Sequence, residues 1–399
     1  MLSFPQTPPR SPAPPHPSSL FPLRFSLFSL LSRSALHLTL HLTDRCNLAC
    51  RYCYQRHGGA DMPFETAAAA IDRLATGNNP GIVFFGGEPL LRKDLMLALI
   101  DRCEEREPNR FHYKVTTNGT LLDEAFLEEA CRRRLAIALS CDGTREAHDA
   151  FRVDAAGRGT WDRVEPALRL LLSRQPYAPV MQTVSPATVP AFADSVRWLR
   201  DLGVRYLIPS LDHAAAWTDA DLRALRRAYR RIARDWLDDH RRGRKFWFAA
   251  FDKRIAARIH PELGCSCRLG RRQISVAPDG ALYPCVQFVG HPEWSIGSVK
   301  DGLDEARREA LFRRNEAPKP SCAGCALEGR CHNRCACLNF QTTGGLEAVP
   351  PILCEHERIL QPLCDELAAT LYDERNPLFL RQHYDPAFPV LSILEDLGA

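Results

Sequence analysis

Three cysteines within fifteen residues constrain this chain more than any other feature. Cys46, Cys50 and Cys53 lie in the segment HLTDRCNLACRYCYQ, residues 41 to 55. A structural metal site is normally closed by four protein ligands, whereas a site that must also bind a substrate keeps one position open. Three closely spaced thiolates therefore predict a metal centre with an open coordination position.

The number of cysteines favours metal binding over disulfides. The chain has 399 residues and 16 cysteines, and clustered cysteines in a long α/β chain are more typical of metal sites than of a secreted disulfide scaffold. Because metal-binding thiolates must stay reduced, we expect a cytoplasmic location. A formal net charge of +4 indicates no nucleic-acid partner, and after the first forty residues no segment approaches the length of a membrane span.

Residues 1–36 are rich in proline and serine and contain the short apolar run LFPLRFSLFSLLS. A transit or signal peptide is one interpretation of this composition. An arginine inside the apolar run and the lack of a clear small-residue cleavage site favour the other, a disordered tail or upstream sequence included by a misplaced start. We expect a disordered tail.

From residue 37 onward, candidate strands and helices alternate. Each candidate strand precedes a helical segment, and the strands are HLTLHL, GIVFF, FHYKVT, AIALS, PVMQTV and VRYLIPS. Alternating βα units imply a parallel sheet with right-handed crossovers. Six units can form an open doubly wound sheet or a partial barrel, and in both arrangements chemistry gathers at the carboxyl ends of the strands.

Chemistry-bearing motifs follow four successive strands. The three cysteines follow the first strand, Gly86-Gly87-Glu88-Pro89 the second, and Thr117-Asn118-Gly119 the third, while Ser140 and Asp142 bracket the end of the fourth. Each motif alone is a weak signal. Their order at successive strand ends predicts one shared site at the carboxyl edge of the sheet.

These motifs resemble those of the radical SAM superfamily. CNLACRYC resembles the superfamily's CxxxCxΦC signature, with Tyr52 as the aromatic Φ, and FFGGEPLL closely matches its glycine-rich SAM-binding segment. SCDGTREAHDAFRVDAAGRGTWDRV is similar to the fourth-strand region of members that modify peptides and proteins. The resemblance covers residues 37 to about 360. It implies an α/β fold, a partial (β/α)6 TIM-type barrel.

The resemblance also implies the cofactors. Cys46, Cys50 and Cys53 would hold three irons of a [4Fe–4S] cluster, and the fourth iron would take the amino and carboxylate groups of S-adenosylmethionine (SAM). Reductive cleavage of SAM would give a 5′-deoxyadenosyl radical that abstracts hydrogen from carbon. The expected SAM contacts are Gly86, Gly87 and Glu88 at the amino group, Ser140 and Arg152 at other polar groups including the carboxylate, and Tyr52 near the adenine. Without the family, a surface salt bridge explains Arg152 equally well.

A second set of cysteines follows the barrel segment. Cys267, Gly280 and Cys285 form C-x12-G-x4-C, and a C-x2-C-x5-C-x3-C run with one later cysteine comprises Cys322, Cys325, Cys331, Cys335 and Cys354. On spacing alone, a zinc ribbon with His332 or His356 as a ligand is an alternative. The arrangement as a whole resembles the SPASM domain, a C-terminal extension that carries auxiliary [4Fe–4S] clusters.

The SPASM resemblance implies two auxiliary clusters. One would be held by Cys322, Cys325, Cys331 and Cys354, and the other by Cys267, Cys285 and Cys335. The fourth ligand of the latter stays open between Cys265 and an iron without a protein ligand. Cys103, Cys131 and Cys141 are expected to be buried apolar fillers, whereas Cys337 and Cys364 receive no role.

The predicted domain order follows from these motifs. We expect a disordered tail over residues 1–36, a radical SAM core over 37–245, a SPASM domain over 260–360 and a helical tail over 361–399.

The expected function is modification of a ribosomally made peptide or protein by hydrogen abstraction. In anaerobic sulfatase maturases the residue after the G-x4-C cysteine is typically an aspartate that acts as base, but here it is Val286. The YPC-x-QFVG stretch instead resembles thioether-forming peptide maturases. Sulfatase-maturase-type oxidation of a Cys or Ser side chain remains an alternative, as does a non-catalytic iron–sulfur electron-transfer or binding protein.

The expected partners are a peptide or protein substrate and an electron donor such as flavodoxin or ferredoxin. A winged-helix module that grips a leader peptide often precedes such cores, but residues 1–36 are too short and too proline-rich for it. The leader must then be held by the core or by a separate leader-peptide-binding protein.

Overall fold

The computed structural model describes residues 36–55, 57–77, 79–261, 267–385 and 387–388. The predicted N-terminal tail, apart from its last residue, lies outside the described residues. The same holds for Cys265 and for the end of the predicted C-terminal tail.

The sheet and helices follow the predicted alternation. The strands are β1 (His37–His41), β2 (Gly81–Phe85), β3 (His112–Thr117), β4 (Leu135–Ser140), β5 (Pro179–Val184), β6 (Tyr206–Leu211), β7 (Trp247–Phe248), β8 (Gln273–Val276), β9 (Leu282–Tyr283), β10 (Gly297–Ser298) and β11 (Gly302–Leu303). The helices are α1 (Phe64–Leu74), α2 (Lys93–Arg106), α3 (Glu124–Arg132), α4 (Arg145–Asp149), α5 (Trp161–Arg174), α6 (Phe192–Asp201), α7 (Asp219–Arg241), α8 (Ala249–Ile259), α9 (Glu305–Glu316), α10 (Ala336–Thr343), α11 (Pro351–Asp373) and α12 (Pro377–Tyr384). The six predicted strand–helix units are all present.

The strands form one sheet in the order β7-β6-β5-β4-β3-β2-β1-β8-β9. All neighbours are parallel except β8 and β9, which form an antiparallel hairpin. Alternate positions of the inner strands are apolar and fully buried, such as Leu40 paired with Phe84 in β1 and β2. Because the strands run parallel, the loops after β1, β2, β3 and β4 emerge at one edge.

Two strands of the C-terminal segment, β8 and β9, extend this sheet beyond β1. β8 pairs with β1 in parallel register, with Leu38 opposite Ile274 and Leu40 opposite Val276. The turn to β9 contains Asp279-Gly280, and Gly280 has a φ of +89°, a conformation that favours glycine. The hairpin therefore delivers Cys285 close to the loop that follows β1.

The C-terminal helices pack against the helices that lie beside β6 and β7. α11 packs against α7 and α8, and the Arg254 guanidinium of α8 forms a buried ion pair with Glu357 of α11 at 2.5 Å. α11 runs continuously across the predicted boundary at residue 360, and the division into domains stays a prediction. Within the described ranges, no helix has both the length and the apolar character needed to cross a membrane.

Candidate active site

The three-cysteine loop is fixed to the chain segment that carries Arg152. Ala49 N–H donates to the Val153 carbonyl at 2.8 Å, and Arg51 N–H donates to the Phe151 carbonyl at 2.9 Å. Within the loop, Cys53 N–H donates to the Cys50 carbonyl at 3.0 Å. These bonds place Arg152 beside the cysteines although it follows them by about a hundred residues.

The two glycines after β2 permit close contact with the cysteine loop. Gly87 N–H donates to the Thr43 carbonyl and Glu88 N–H to the Arg45 carbonyl, both at 2.8 Å. A Cβ atom at Gly86 would lie 2.3 Å from the Thr43 oxygen, and one at Gly87 would lie 2.2 Å from the Arg45 oxygen. Both positions therefore require glycine because of a backbone contact within the protein. This requirement is independent of the predicted close approach of SAM.

Glu88 joins the ends of β2 and β3. Its side chain is buried, and it accepts hydrogen bonds from Leu90 N–H at 2.9 Å, Thr117 Oγ1–H at 2.7 Å and Asn118 N–H at 2.8 Å. Burial raises the pKa of this carboxyl, and the three hydrogen bonds oppose that rise by stabilising the ionised form. The carboxylate therefore orders the strand ends, while its predicted contact with the SAM amino group stays a prediction.

Asn118 extends the connection to the first cysteine. Its Nδ2 donates to Asn47 Oδ1 at 2.9 Å and lies 3.9 Å from Cys46 Sγ, to which Leu48 N–H also donates at 3.4 Å. Donors of this kind stabilise a metal-bound thiolate. Burial raises the pKa of Cys46 to about 11, so a coordinated cation is needed to hold this sulfur deprotonated. Sequence reasoning missed Asn47, although it lies inside the cysteine signature.

Tyr52, Asp142 and Arg152 form a buried group beside the cysteines. The Arg152 guanidinium lies 3.1 Å from Asp142 Oδ2, and Tyr52 Oη–H donates to the same oxygen at 2.5 Å. The Tyr52 ring stacks on Phe151, with ring centroids 5.4 Å apart, and also faces the guanidinium at 5.4 Å. Arg152 therefore forms an ion pair, as the alternative interpretation proposed, but a buried one rather than a surface one.

A chain of hydrogen bonds fixes Asp142. Thr183 N–H donates to Asp142 Oδ1 at 2.9 Å, and Asp142 N–H donates to His148 Nδ1 at 3.4 Å. His148 Nε2 lies 3.0 Å from Thr160 Oγ1, whose hydroxyl donates to the Arg152 carbonyl at 2.9 Å. Burial lowers the pKa of His148 to about 3, so the imidazole is neutral and can accept from Asp142. Ser140, the last residue of β4, precedes Asp142 by two residues and is half-buried. Its contact with SAM stays a prediction.

The first auxiliary set of cysteines gains a member. Cys335 Sγ and Cys337 Sγ lie 3.6 Å apart, and Cys285 lies within electrostatic range of the Cys337 thiol. Cys267 lies near both Cys285 and Cys335. Sequence reasoning gave Cys337 no role, and its C-x-C spacing with Cys335 was the available signal.

The second auxiliary set also comes together. Cys331 and Cys354 both lie within electrostatic range of Cys322 and Cys325. Asn333 Nδ2 donates to Cys322 Sγ at 3.4 Å. Of the three cysteines predicted to be buried apolar fillers, Cys103 and Cys141 are buried. The prediction is wrong for Cys131, which is exposed because it lies on the solvent side of α3.

Among the described residues, no three His, Cys, Asp or Glu side chains converge tightly enough to hold a single metal ion. A [4Fe–4S] cluster takes one thiolate on each iron and so spreads its ligands more widely than one ion does. The two auxiliary sets and the cysteine loop, each with donors to its sulfurs, fit clusters of this kind.

A cavity of about 150 Å³ lies between the cysteine loop and the β8–β9 hairpin. The buried His41 imidazole reaches it, and His41 Nε2 has no hydrogen-bond partner among the described residues. The cavity is lined by His41, Asp44, Gln55, Ala60, Ala277, Pro278, Asp279, Tyr283, Val286, Val289 and Gly290. Val286, the position of the sulfatase-type aspartate, is therefore part of its wall.

A parallel sheet with a three-cysteine loop at its carboxyl edge and further cysteine sets beside it defines an iron–sulfur protein of the α/β class. The Radical SAM superfamily model matches residues 40–191, and the SPASM iron–sulfur cluster-binding domain model matches residues 265–326. The chain carries a radical SAM domain followed by a SPASM domain, which confirms the resemblance. Its cofactors are those of the two domains: SAM, the [4Fe–4S] cluster that binds it, and auxiliary iron–sulfur clusters.

Three curated relatives illustrate the range of similar proteins. An uncharacterised protein of Methanocaldococcus jannaschii is 34% identical over 173 residues, which are 42% of this chain and 60% of that protein. A cysteine-type anaerobic sulfatase-maturating enzyme of Clostridium perfringens is 26% identical over 285 residues, covering 64% of this chain and 75% of the enzyme. The antilisterial bacteriocin subtilosin biosynthesis protein AlbA of Bacillus subtilis is 22% identical over 342 residues, covering 75% of this chain and 69% of AlbA.

Solved structures share the fold. Native anSMEcpe with bound AdoMet superposes with a TM-score of 0.72 at 18% identity, covering 85% of this chain and 99% of that chain. Streptococcus suis SuiB bound to precursor peptide SuiA gives a TM-score of 0.55 at 16% identity, covering 80% of this chain and 75% of that chain. The predicted partial barrel with a C-terminal SPASM domain is thereby confirmed.

Proposed function

We propose that this chain is a radical SAM maturase that modifies a ribosomally made peptide or protein. The observation that carries the proposal is the cavity bounded on one side by the cysteine loop and on the other by the β8–β9 hairpin, next to Cys285. When bound, the cluster and SAM supply a 5′-deoxyadenosyl radical that abstracts hydrogen from carbon. The chain's own residues bind SAM, orient it and admit the substrate.

Arg152 is suited to the SAM carboxylate. Its guanidinium is buried, and among the described residues only the Asp142 carboxylate pairs with it. A guanidinium presents five N–H donors in a planar fork, so a second carboxylate can be bound while the first is retained. Asp142, held by Thr183 N–H and Tyr52 Oη–H, fixes the direction of that fork.

The other proposed SAM contacts surround the same point. Gly86, Gly87 and Glu88 form the loop next to the cysteines, where backbone carbonyls and a buried carboxylate suit an ammonium group. Tyr52 and Ser140 lie on the Asp142 side, and the adenine is placed near the Tyr52 ring. These residues then exclude water from the sulfonium.

The cavity is suited to one side chain of a larger substrate. A volume of about 150 Å³ is that of a cavity that accepts a benzene-sized group, which is too small for a whole cofactor or metabolite of high mass. Asp44 and Asp279 give it acidic walls, and Val286 and Val289 give it an apolar one. A peptide that inserts one residue therefore fits better than a free small molecule.

The proposed partners follow from this assignment. A peptide or protein is the substrate, an electron donor such as flavodoxin or ferredoxin reduces the cluster, and the leader is held by the core or by a separate leader-peptide-binding protein. SuiB bound to its precursor peptide and AlbA, a bacteriocin biosynthesis protein, support a peptide substrate. Because cluster-binding thiolates must stay reduced, the proposed location is the cytoplasm.

Sulfatase-maturase-type oxidation is a second candidate, since sulfatase-maturating enzymes are among the relatives. Val286 counts against it, because a valine in the cavity wall cannot accept a proton as the aspartate of those enzymes does.

The experiment has two stages. Anaerobically reconstituted protein is first incubated with SAM and dithionite, and 5′-deoxyadenosine is measured; a protein that only transfers electrons produces none. The chain is then co-expressed with small peptides encoded beside its gene, and the peptides are weighed by mass spectrometry. A loss of about two hydrogens per link supports the proposal. Unmodified peptides together with a modified full-length neighbouring protein assign it to protein maturation instead.

A further inference from the structure

Cys337 lies beside the first auxiliary set of cysteines. Its sulfur is 3.6 Å from Cys335 Sγ and within electrostatic range of Cys285, and Cys267 Sγ–H donates at 3.3 Å to the carbonyl of Arg334, the neighbour of Cys335. Cys267, the remaining member, lies near Cys335 and Cys285. Four thiols from three separate chain segments thus meet at one place, and we call Cys267, Cys285, Cys335 and Cys337 the four-thiol group.

The surroundings of the four-thiol group suit bound iron. Asn315 Nδ2 lies 4.0 Å from Cys267 Sγ, and the backbone amides of Gln287 and Leu338 lie beside the sulfurs of Cys285 and Cys335. Hydrogen bonds to the sulfurs are a regular feature of protein-bound iron–sulfur clusters.

The position of Cys337 in the chain allows it to act as a ligand. Cys335 precedes α10 in an extended conformation, with φ of −79° and ψ of 92°, and Cys337 lies in the first turn of that helix. Because each iron of a cluster takes one thiolate, the two sulfurs must separate when the cluster binds. Rotation of either side chain about its first torsion separates them and leaves the helix intact.

We propose that Cys337 is the fourth cysteine ligand of the auxiliary cluster held by Cys267, Cys285 and Cys335. This assignment rests on one part of the proposed function, that the SPASM cysteines hold iron–sulfur clusters. It replaces both earlier alternatives, Cys265 and an iron without a protein ligand. When four cysteines each bind one iron, no iron of this cluster is free to bind the thiolate of a substrate cysteine. Thioether formation therefore cannot use this cluster to deliver a substrate cysteine to the radical carbon.

The test removes the SAM cluster first, because its open iron would obscure the result. The starting protein is the full chain with Cys46, Cys50 and Cys53 replaced by alanine, reconstituted anaerobically. Cys337→Ala and Cys265→Ala are then each added to it. Iron and sulfide per chain are measured, together with the electron paramagnetic resonance signal of three-iron clusters after mild oxidation, since an iron without a cysteine ligand is readily lost.

The expected result differs between the two variants. Cys337→Ala should lose about four of about eight irons or show a three-iron signal, whereas Cys265→Ala should match the starting protein in both measurements. No effect of Cys337→Ala, or an effect of Cys265→Ala as large as that of Cys337→Ala, overturns the proposal. Should Cys337→Ala lack the far-ultraviolet circular dichroism of the starting protein, Cys337→Ser is measured in the same way.

Failure of the proposed function is visible separately. A starting protein that holds fewer than two auxiliary clusters contradicts the SPASM assignment itself, before either variant is made. Absence of 5′-deoxyadenosine from the wild-type chain contradicts the enzyme assignment but leaves the iron counts, and therefore the Cys337 test, unaffected.

Discussion

The carboxylate of Asp142 and the guanidinium of Arg152 form an ion pair at 3.1 Å in which both side chains are buried. Burying two charges costs free energy that their attraction does not fully repay unless further hydrogen bonds satisfy them. Asp142 receives such bonds from Thr183 N–H and Tyr52 Oη–H. Among the described residues, the Arg152 guanidinium has no charged partner beyond Asp142 and its Nε forms no hydrogen bond, which leaves it available to an anionic ligand at the edge of the cysteine loop.

Removing the charge of Asp142 should destabilise the protein. In Asp142→Asn the Arg152 cation stays buried without its counter-charge, and we expect the free energy of unfolding to fall by about 3 kcal/mol. Denaturant unfolding of the reconstituted protein measures this change. The double variant Asp142→Asn/Arg152→Gln should recover part of the loss, because it leaves no unpaired charge.

The exposed ion pair between Arg145 and Asp162 provides the control. Both side chains are largely accessible to solvent, so Asp162→Asn should change the free energy of unfolding far less than Asp142→Asn does. Equal losses in Asp142→Asn and Asp162→Asn would show that burial of the Asp142–Arg152 pair has no energetic consequence.

Gly87→Ala should disrupt the cysteine loop. The added Cβ would meet the Arg45 carbonyl oxygen at 2.2 Å, a backbone atom that cannot move without shifting the loop. We expect the variant to lose the SAM cluster, about four irons per chain, while its auxiliary clusters remain. Gly58→Ala is the matched control, because a Cβ there meets only the Asp44 side chain at an ordinary 3.5 Å. Full iron content in Gly87→Ala would contradict the contact.

Glu88→Gln and Arg152→Ala should weaken SAM binding more than they reduce cluster content. Neither residue is a thiolate, and both lie beside the loop that carries the thiolates. An increase of at least about tenfold in the dissociation constant of SAM corresponds to the loss of one charge-assisted hydrogen bond, about 1.5 kcal/mol. Isothermal titration of SAM with simultaneous iron analysis measures both quantities. An unchanged dissociation constant in both variants would place the SAM pocket elsewhere.

The wild-type protein should hold about three [4Fe–4S] clusters, or about twelve irons. Replacing Cys46, Cys50 and Cys53 by alanine should remove about four irons and all SAM cleavage, since the two auxiliary sets use other thiols. Iron analysis and Mössbauer spectroscopy count the clusters. Stoichiometric zinc with a single cluster in well-reconstituted protein would instead support the zinc-ribbon alternative.

The sequence predicted the strand–helix units because their signal is local, whereas the choice of a partial barrel over an open sheet came from the family resemblance. GIVFF and PVMQTV are short apolar runs, and their observed strands, Gly81–Phe85 and Pro179–Val184, have the same bounds. The strand-end motifs likewise identified Glu88 as a site candidate, whereas Arg152 was identified by the family resemblance. Such patterns depend on neighbours in the chain, which the sequence displays directly.

Contacts between distant segments could not be predicted in this way. β8 has four residues and pairs with β1 far earlier in the chain, so its periodicity is too short to indicate a partner. Asp142 was noted only as the end of a strand, because its bonds to Tyr52 and Arg152 arise from tertiary folding. Cys337 lies outside the SPASM spacing pattern, and only the fold brings it to Cys285.

The neutral, buried His148 should make stability depend on pH. Burial lowers its pKa from 6.5 to about 3 in the folded protein, so below pH 6.5 the unfolded chain binds a proton that the folded chain does not. The stability contributed by neutral His148 is therefore complete above pH 6.5 and is lost as the pH falls. Linkage puts the loss at about 1.4 kcal/mol at pH 5.5 relative to pH 8.

Comparison of variants isolates this single histidine from other buried ones. His148→Gln can still hydrogen-bond to Asp142 N–H and Thr160 Oγ1 but does not titrate, so its free energy of unfolding should fall less between pH 8 and pH 5.5 than that of the wild type, by about 1.4 kcal/mol. His112→Gln replaces an exposed imidazole and is the matched control. Denaturant unfolding at both pH values, with cluster content monitored by absorbance, measures the difference. If His148→Gln and His112→Gln depend on pH equally, burial does not lower the pKa of His148 in the folded protein, and the imidazole is not held neutral at pH 5.5.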